Sequence, residues 1–314
     1  MRVIRGINNL RAEHRGCVLT VGNFDGVHRG HQALLAQLHN EGCKRNAPVM
    51  VMLFEPHPLE IFNTEKAPAR LTRLHEKLHY LKKAKVDVIL CIRFNHRFSS
   101  YTAKEFIIEL LVNKLGIKFL AIGEDFRFGA DRYGTVCFLQ KASMQYGFDL
   151  LIIQTLLENN RRISSTAIRN ALAVNNLSLA KDLLGRSFSM CGRVVYGDAL
   201  GRKIGFPTIN LLLFRILPPV TGVYIVYVKV TGNKVLPGVA NIGIRPTFKR
   251  IKRQLEVHLL DINIDLYGQY IEVIFLQKIR DEKFFSSLFA LQKQIQCDIM
   301  DAKYFFNNQK NIII

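Results

Sequence analysis

The stretch CVLTVGNFDGVHRGHQALLAQLH, residues 17–39, decides the fold because it passes from an apolar run through a glycine-rich turn into a helical pattern. CVLTVG (17–22) predicts a buried strand, and residues 31–39 predict a helix whose leucines fall on one face. Strand, turn and helix in this order are typical of a parallel sheet, in which ligands bind beyond the carboxyl ends of the strands. His28 and His31 lie in that turn, so they are the first candidates for a functional site.

The first part of the chain repeats this alternation up to about residue 185. Further buried strands are predicted at 47–54, 86–94, 118–125 and 148–154, with a helix at 102–116. Near-continuous apolar strands that alternate with helices indicate a parallel sheet covered on both faces. We therefore expect an α/β domain over residues 1–185, which ends in a closing helix and linker over 171–186.

The second part of the chain, residues 186–314, has a different pattern. Short strands separated by Gly, Asn and Pro turns are predicted at 187–197, 222–230, 234–243, 254–262 and 270–279. Short strands at regular spacing, with no long helix between them, favour a small antiparallel β-barrel. A terminal helix is predicted at 284–306, which completes a second domain.

The composition limits the class of protein. The six cysteines form no CxxC pair, and residues 1–16 contain no apolar block of the kind that a signal peptide needs. No stretch approaches the roughly 18 uninterrupted apolar residues of a membrane-spanning helix. We therefore expect a cytoplasmic protein with reduced thiols.

The formal net charge of +19 admits more than one interpretation. A strongly basic chain is typical of nucleic-acid binding, but it also suits a protein that handles polyanionic small molecules, and it can reflect a general lysine bias. Basic residues are spread over the whole length, and the densest cluster, 249–253, is short. The net charge therefore gives information about binding partners and none about the fold.

Two histidines at the start of a helix suit the binding of phosphate. A helix N-terminus directs free N–H groups and partial positive charge outward, and anions bind there. Because residues three apart lie on the same side of a helix, His28 and His31 can both donate hydrogen bonds where negative charge develops. Gly22, Gly26 and Gly30 let the backbone approach a bulky ligand. Half of a metal site and an ordinary polar surface are the alternatives for an HxxH pair.

A longer pattern favours the phosphate-binding interpretation. GNFDGVHRGH (22–31) resembles the HxGH signature of the nucleotidylyltransferase superfamily, and RISSTAIR (162–169) resembles its second signature, ISSTxxR. The resemblance implies a Rossmann-like domain for adenylyl transfer, in which a phosphate of one substrate attacks the α-phosphorus of ATP. His28 and His31 would be the catalytic residues. The residues expected to bind the nucleotide are Gly22, Asn23, Phe24, Gly30, Ser164, Ser165, Thr166 and Arg169.

The second domain carries another motif. GRKIGFPTIN (201–210) resembles the GxxxGFPTAN motif of riboflavin kinase, with Ile209 in place of Ala. Thr208 and Asn210 alternate on an extended segment and so point to one side, and their oxygens are ligands suited to Mg²⁺. The residues expected to hold nucleotide phosphates are Gly201, Lys203 and Gly205.

Later segments extend the resemblance to riboflavin kinase. GVANIGIRPTF (238–248) and QLEVHLLDINIDLYG (254–268) are similar to its GVxNIGxRPTF and EVHLLDFxGDLYG segments, although Asn263-Ile264 replaces a glycine-containing turn. The resemblance makes Glu256 the catalytic base, which would take the proton of the 5′-hydroxyl of riboflavin as the γ-phosphoryl group is transferred. Outside this context, a Glu on an alternating strand is a solvent-facing residue.

Together the two domains resemble the prokaryotic bifunctional riboflavin kinase/FAD synthetase family over essentially the whole length. The resemblance implies riboflavin, FMN and ATP as substrates and Mg²⁺ as cofactor. FEPHP (54–58) and GEDFRFG (123–129) follow predicted strands and would line a partly aromatic slot for the isoalloxazine ring. The flavin-binding residues expected there are Phe54, His57, Pro58, Phe62, Asp125 and Phe128.

Two competing interpretations stay open at this point. The chain could be a riboflavin kinase whose first domain has lost adenylylation, although the intact HRGH and ISSTAIR segments argue against it. It could also be a basic barrel that binds single-stranded nucleic acid through displayed aromatic side chains, although its aromatic residues fall largely in apolar strands. We expect small-molecule partners, no nucleic acid and no membrane, with self-association left open.

Overall fold

The chain divides into two compact units in this computed structural model, which describes residues 1–154, 156–158, 161–197, 200–213, 215, 217–246, 251–262 and 264–309. The first unit consists of Met1–Pro68 and Thr72–Ser165, and the second of Ala69–Leu71 and Thr166–Ile314. The functional boundary expected at residue 185 stays a prediction. No helix among the described residues is long and apolar enough to span a membrane.

A six-stranded parallel sheet forms the centre of the first unit, in the order β1-β4-β3-β2-β5-β6. The strands are β1 (Arg2–Arg5), β2 (Val18–Val21), β3 (Val49–Glu55), β4 (Val88–Arg93), β5 (Phe119–Gly123) and β6 (Asp149–Ile153). Because both faces of this sheet are covered, every residue of β2 and most residues of β3 and β4 are buried, and nearly all of them are apolar. The parallel sheet predicted from the sequence is therefore confirmed.

Helices cover the two faces of this sheet, and each face has its own apolar core. They are α1 (Arg29–Arg45), α2 (Pro58–Phe62), α3 (Leu74–Lys83), α4 (His96–Ser99), α5 (Ala103–Glu105, continued by a π-helix over Phe106–Lys114) and α6 (Val136–Tyr146). A two-stranded ribbon, β7 (Leu157–Glu158) and β8 (Arg161–Arg162), precedes the end of the unit. Helix α1 begins at the second of the four HRGH residues, so the histidine turn lies at the carboxyl end of β2.

A closed six-stranded antiparallel barrel forms most of the second unit, in the order β10-β13-β12-β11-β14-β9. Its elements in chain order are α7 (Ser165–Ala173), α8 (Leu177–Leu184), β9 (Ser189–Val195), α9 (Leu200–Lys203), β10 (Ile209–Leu212), β11 (Gly222–Lys229), β12 (Val235–Pro246), β13 (Ile251–Leu259), β14 (Tyr270–Arg280) and α10 (Leu288–Gln309). The barrel and its terminal helix confirm the prediction.

The closing helix and linker expected over residues 171–186 correspond to the end of α7 and to α8. Asn175 has a left-handed backbone with φ 59°, which ends the first helix. The side chain of Asn176 then accepts a hydrogen bond from the N–H of Leu179 and starts the second helix.

Candidate active sites

The two histidines of the first unit lie together at the start of α1. His28 is the N-cap residue, and its Nδ1 accepts a hydrogen bond from the backbone N–H of His31 over 3.4 Å. The two imidazole rings are stacked with their centroids 3.6 Å apart, and the ring of His31 lies 4.7 Å from that of Phe24. Since His28 Nδ1 accepts a hydrogen bond, its Nε2 carries the N–H in the neutral ring.

Electrostatics keep His31 neutral. Desolvation by burial, followed by the nearby His28 and Lys77, holds the pKa of His31 well below the ordinary 6.5. Its Nδ1 is buried and has no hydrogen-bond partner in the part of the chain that the structure describes. Two stacked imidazoles of which one is uncharged can donate hydrogen bonds to a polyphosphate without repelling each other.

A buried hydrogen-bond network fixes the turn before α1. The carboxylate of Asp25 accepts hydrogen bonds from Thr72, through its backbone N–H at 2.9 Å and its hydroxyl at 3.1 Å. Ser165 Oγ donates to the backbone carbonyl of Asp25 over 2.8 Å. Phe24 and Val27, both buried, have positive φ angles of 48° and 41°, which the surrounding packing must hold in place.

The residues of the ISST segment that are predicted to bind phosphate are divided between the two units. Ser164 and Ser165 belong to the first unit, and the hydroxyl of Ser165 is committed to the turn before α1. Thr166 and Arg169 belong to the second unit. The Nε of Arg169 donates to the carbonyl of Ala69, a residue of the same unit, over 2.7 Å. Part of this guanidinium therefore forms a hydrogen bond to the backbone.

A largely apolar cleft of about 660 Å³ lies in the first unit. All six predicted flavin-binding residues line it, and Gly22 and Asn23 of the histidine turn border it. The amide oxygen of Asn23 is buried and has no partner among the described residues. A cleft of this size falls within the range that holds drug-sized ligands, and its position places such a ligand next to the turn that carries the histidines.

The same cleft contains aromatic residues that the sequence interpretation missed. They are Phe94, Phe98, Tyr101, Phe106 and Phe126. The ring of Phe54 lies 5.7 Å from that of Phe94 and 5.6 Å from that of Phe98, and Phe62 makes an edge contact with Phe94 at 5.6 Å. The aromatic density of FNHRFSSY (94–101) was the available signal.

Asp125, predicted to bind the flavin, is paired with a cation. Its carboxylate accepts a hydrogen bond from Nη2 of Arg162, the first residue of the ISST segment, over 2.5 Å. Both side chains are more than half exposed, so the pair lies at the surface of the unit.

A second cleft, of about 260 Å³, lies on the outside of the barrel and contains Gly201, Thr208 and Glu256. On β13, Leu255 and Val257 point into the barrel core, and the intervening Glu256 therefore points outward.

Two amide side chains flank this carboxylate, because Asn210 on β10 and Asn241 on β12 lie directly opposite Glu256 in the register. The outer face of the barrel thus carries a row of oxygen-bearing side chains across three strands.

The GFPT segment is held against β13. His258 Nδ1 lies 2.8 Å from the carbonyl oxygen of Pro207, to which it donates. A Cβ atom on Gly201 would lie 2.4 Å from the carbonyl oxygen of Phe206 and 3.2 Å from Thr208 Oγ1, so this position admits only glycine without a shift. Gly205 has a positive φ of 86°. The side chain of Lys203, also predicted to bind phosphates, lies outside the described residues.

The oxygens of Thr208 and Asn210 fit the requirements of Mg²⁺. Asn210 is buried, and its Oδ1 accepts one hydrogen bond from Gln254 Nε2 over 2.7 Å, which leaves a second lone pair. Mg²⁺ takes few protein ligands and completes its shell with water and substrate phosphates. Among the described residues, no group of three or more His, Cys, Asp or Glu side chains could hold a metal, so a metal bound here would depend on the hydroxyl and the amide.

Comparison with known proteins finds a matching family for each half of the chain. The FAD synthetase family matches residues 10–167, and the riboflavin kinase family matches residues 184–306. A bifunctional riboflavin kinase/FMN adenylyltransferase of Escherichia coli K12 is 60% identical over 311 residues, which is 99% of each chain. The protein of that name from Haemophilus influenzae is 47% identical over 308 residues, covering 98% of this chain and all of that one.

A solved structure shares the fold. A crystal structure from Streptococcus pneumoniae, described as a macrolide-efflux protein, matches with a TM-score of 0.79 at 29% identity. The match covers 96% of this chain and 98% of that one.

Proposed function

This chain belongs to the family of bifunctional riboflavin kinase/FMN adenylyltransferases, and we propose that its two units divide the two reactions between them. The barrel unit transfers the γ-phosphoryl group of ATP to riboflavin and forms FMN. The sheet unit transfers the adenylyl group of a second ATP to FMN, forming FAD and pyrophosphate. Neither a kinase with an inactive first unit nor a nucleic-acid-binding barrel is supported.

Glu256 acts in the kinase reaction. Riboflavin binds in the outer cleft of the barrel, and the Glu256 carboxylate accepts the proton of its 5′-hydroxyl while the oxygen forms a bond to the γ-phosphorus and ADP leaves. Mg²⁺ held by Thr208 and Asn210 would neutralise the charge that develops on the phosphates. Gly201 and Gly205 allow the backbone to approach the phosphates closely.

His28 and His31 act in the adenylyl transfer. The FMN phosphate is already anionic, so its oxygen attacks the α-phosphorus without a general base, and the bond between the α- and β-phosphates breaks. Catalysis then depends on positioning and charge stabilisation. The two stacked imidazoles donate hydrogen bonds to the phosphate oxygens, and the positive end of the α1 helix dipole adds to the stabilisation of their charge. A role for Ser164, Thr166 and Arg169 in phosphate binding stays a prediction.

The observation that carries this assignment is the aromatic cleft beside the histidine turn. Phe54, Phe62 and Phe128 line a space of the right size for an isoalloxazine ring, and the same space is bordered by Gly22 and Asn23. Aromatic side chains favour such a ring through offset stacking and edge contacts. A flavin seated there would bring its phosphate towards the nucleotide-binding turn.

Paired variants test the division of labour. His28→Ala should abolish FAD formation from FMN and ATP while riboflavin is still phosphorylated. Glu256→Ala should abolish FMN formation while FAD still forms from supplied FMN. His39→Ala, which removes a histidine further along α1, is the matched control and should retain both activities. If either variant, still folded, lost both reactions, the two-site assignment would be wrong.

The remaining properties are proposals as well. We propose that the enzyme works in the cytoplasm with its thiols reduced, which the six free cysteines support. Nucleic acid is not an expected partner, since Tyr224 and Phe275 of the barrel strands are buried in the core and offer no ring on which a base could stack. Oligonucleotide titration at physiological salt tests the second proposal, and sedimentation would show whether the protein associates with itself.

A further inference from the structure

A largely buried ion pair lies in the wall of the kinase cleft. Arg280, the last residue of β14, donates to both carboxylate oxygens of Asp298 on α10, with Nε at 2.9 and 3.1 Å and Nη2 at 2.7 Å. Gln294 Nε2 adds a third donor group, at 3.0 Å from Asp298 Oδ1. Asp298 is only 2% exposed. Both partners line the same cleft as Glu256.

Stability alone does not account for this pair. Removing two charges from water costs about as much as their attraction returns, and well-packed apolar residues often replace such pairs without loss. The benefit of a two-pronged Arg–carboxylate contact is its fixed geometry, because the planar guanidinium permits only one relative orientation of the groups it joins. The pair therefore fixes the orientation of α10 against the end of β14.

Helix α10 needs such a contact because only part of it is packed in an apolar core. Its C-terminal half joins a hydrophobic cluster through the buried Ala302 and the neighbouring Phe305 and Phe306. Its N-terminal half instead provides Leu291 and Ile295 to the wall of the cleft. Asp298 lies between the two halves, so a small rotation there would move the wall across the cleft.

We propose that Arg280 is a positioning residue for the kinase reaction. Through its ion pair with Asp298, it holds α10 at the distance from the barrel that allows riboflavin to bind in front of Glu256. This inference rests on the proposed function of the cleft. The Arg280–Asp298 pair determines the position of the cleft wall that binds the flavin. Arg280 takes no part in the chemical step.

The test is the riboflavin dependence of the kinase reaction in the full-length Arg280→Lys variant. Lysine keeps the positive charge and loses the two-pronged contact. We expect KM for riboflavin to rise about tenfold or more with a smaller change in kcat, since a displacement of roughly 1 Å in positioning groups can cost on the order of a hundredfold. FAD formation from supplied FMN should be unchanged, which shows that the sheet unit is intact, and the retained kcat of the kinase reaction shows that the barrel unit is folded.

Lys303→Met is the matched control. Lys303 of α10 also forms an ion pair, 2.8 Å from Asp261 in the turn after β13, but both side chains are exposed, at 45% and 74%, and neither lines the cleft. Its KM for riboflavin should equal that of the wild type. A merely stabilising role for Arg280 would lower the thermal midpoint and the active fraction, hence the apparent kcat, and would leave KM intact.

The outcomes are separable. An unchanged KM in active Arg280→Lys, or an equal rise in Lys303→Met, overturns the inference. If Arg280→Lys does not fold, Gln294→Leu removes one donor to Asp298 without stranding a charge; a rise in KM of about threefold is expected, and an unchanged KM overturns the inference. Absence of kinase activity in the wild type would refute the proposed function of the cleft instead.

Discussion

Gly201→Ala separates two opposite expectations for the kinase cleft. Gly201 lies in the short helix α9, where alanine is normally favoured over glycine by up to ~1 kcal/mol. The added Cβ, however, would lie 2.4 Å from the carbonyl oxygen of Phe206, whereas real Cβ contacts are at least 3.0 Å. The backbone at Gly201 and the Phe206 carbonyl must therefore move apart by at least 0.6 Å.

That movement has a calculable effect on the reaction. The Phe206 carbonyl lies two residues before Thr208, whose Oγ1 would itself be 3.2 Å from the new carbon. Overpacking of this kind costs about 1–3 kcal/mol. If about half of that falls on the transition state, kcat/KM of the kinase reaction drops about twofold to tenfold, because 1.4 kcal/mol corresponds to a factor of ten.

The assay is the initial rate of FMN formation at varied ATP and riboflavin, with FAD formation from supplied FMN as the internal reference. Gly232→Ala is the control, because Gly232 also lies in the barrel unit but has a positive φ of 80° and nothing within 4 Å of the added carbon. It should lose some stability and no kinase efficiency. A Gly201→Ala variant with undiminished kcat/KM would refute the close packing of this segment as the reason for glycine.

Three further outcomes follow from the sites. Burial depresses the pKa of His31 in the folded protein, so as the pH falls below 6.5 the unfolded chain takes up a proton at this residue before the folded protein does. Acidification below pH 6.5 should therefore destabilise the wild type, by up to about 1.4 kcal/mol per pH unit. The thermal midpoint of His31→Asn should depend less on pH. Phe62→Ala should raise KM for FMN in adenylyl transfer about threefold to tenfold, from the ~0.5–1.5 kcal/mol of a lost aromatic contact, whereas exposed Tyr133→Ala, outside the cleft, should not. His258→Phe removes the donor to Pro207 and should lower the kinase rate while the protein stays folded, which kinetics and thermal unfolding measured together would check.

The architecture of both units could be predicted because their patterns are local. CVLTVG and its following helix, for example, need no distant partner to be recognised. Strand β1 was missed because RVIR alternates in polarity and is only four residues long; its partner, β4, lies more than 80 residues away. The break between α7 and α8 was missed because it depends on the left-handed backbone of Asn175.

Site residues could be predicted where they belong to a sequence motif, but not where the fold brings them together from distant parts of the chain. His28, His31 and Glu256 stand in motifs, and the structure places each beside or within a cleft-forming segment. Phe94 and Phe98 reach the aromatic cleft only because β4 is adjacent to β3 in the sheet. The Arg280–Asp298 pair joins β14 to α10, and no pattern in the sequence indicates which acid meets that arginine.

The most direct test of the central claim is a time course of products from the purified protein with riboflavin, ATP and Mg²⁺. The account predicts that FMN accumulates first and is then converted to FAD, with one pyrophosphate released for each FAD formed. Riboflavin recovered unchanged from folded protein, or FMN that never becomes FAD, would contradict it.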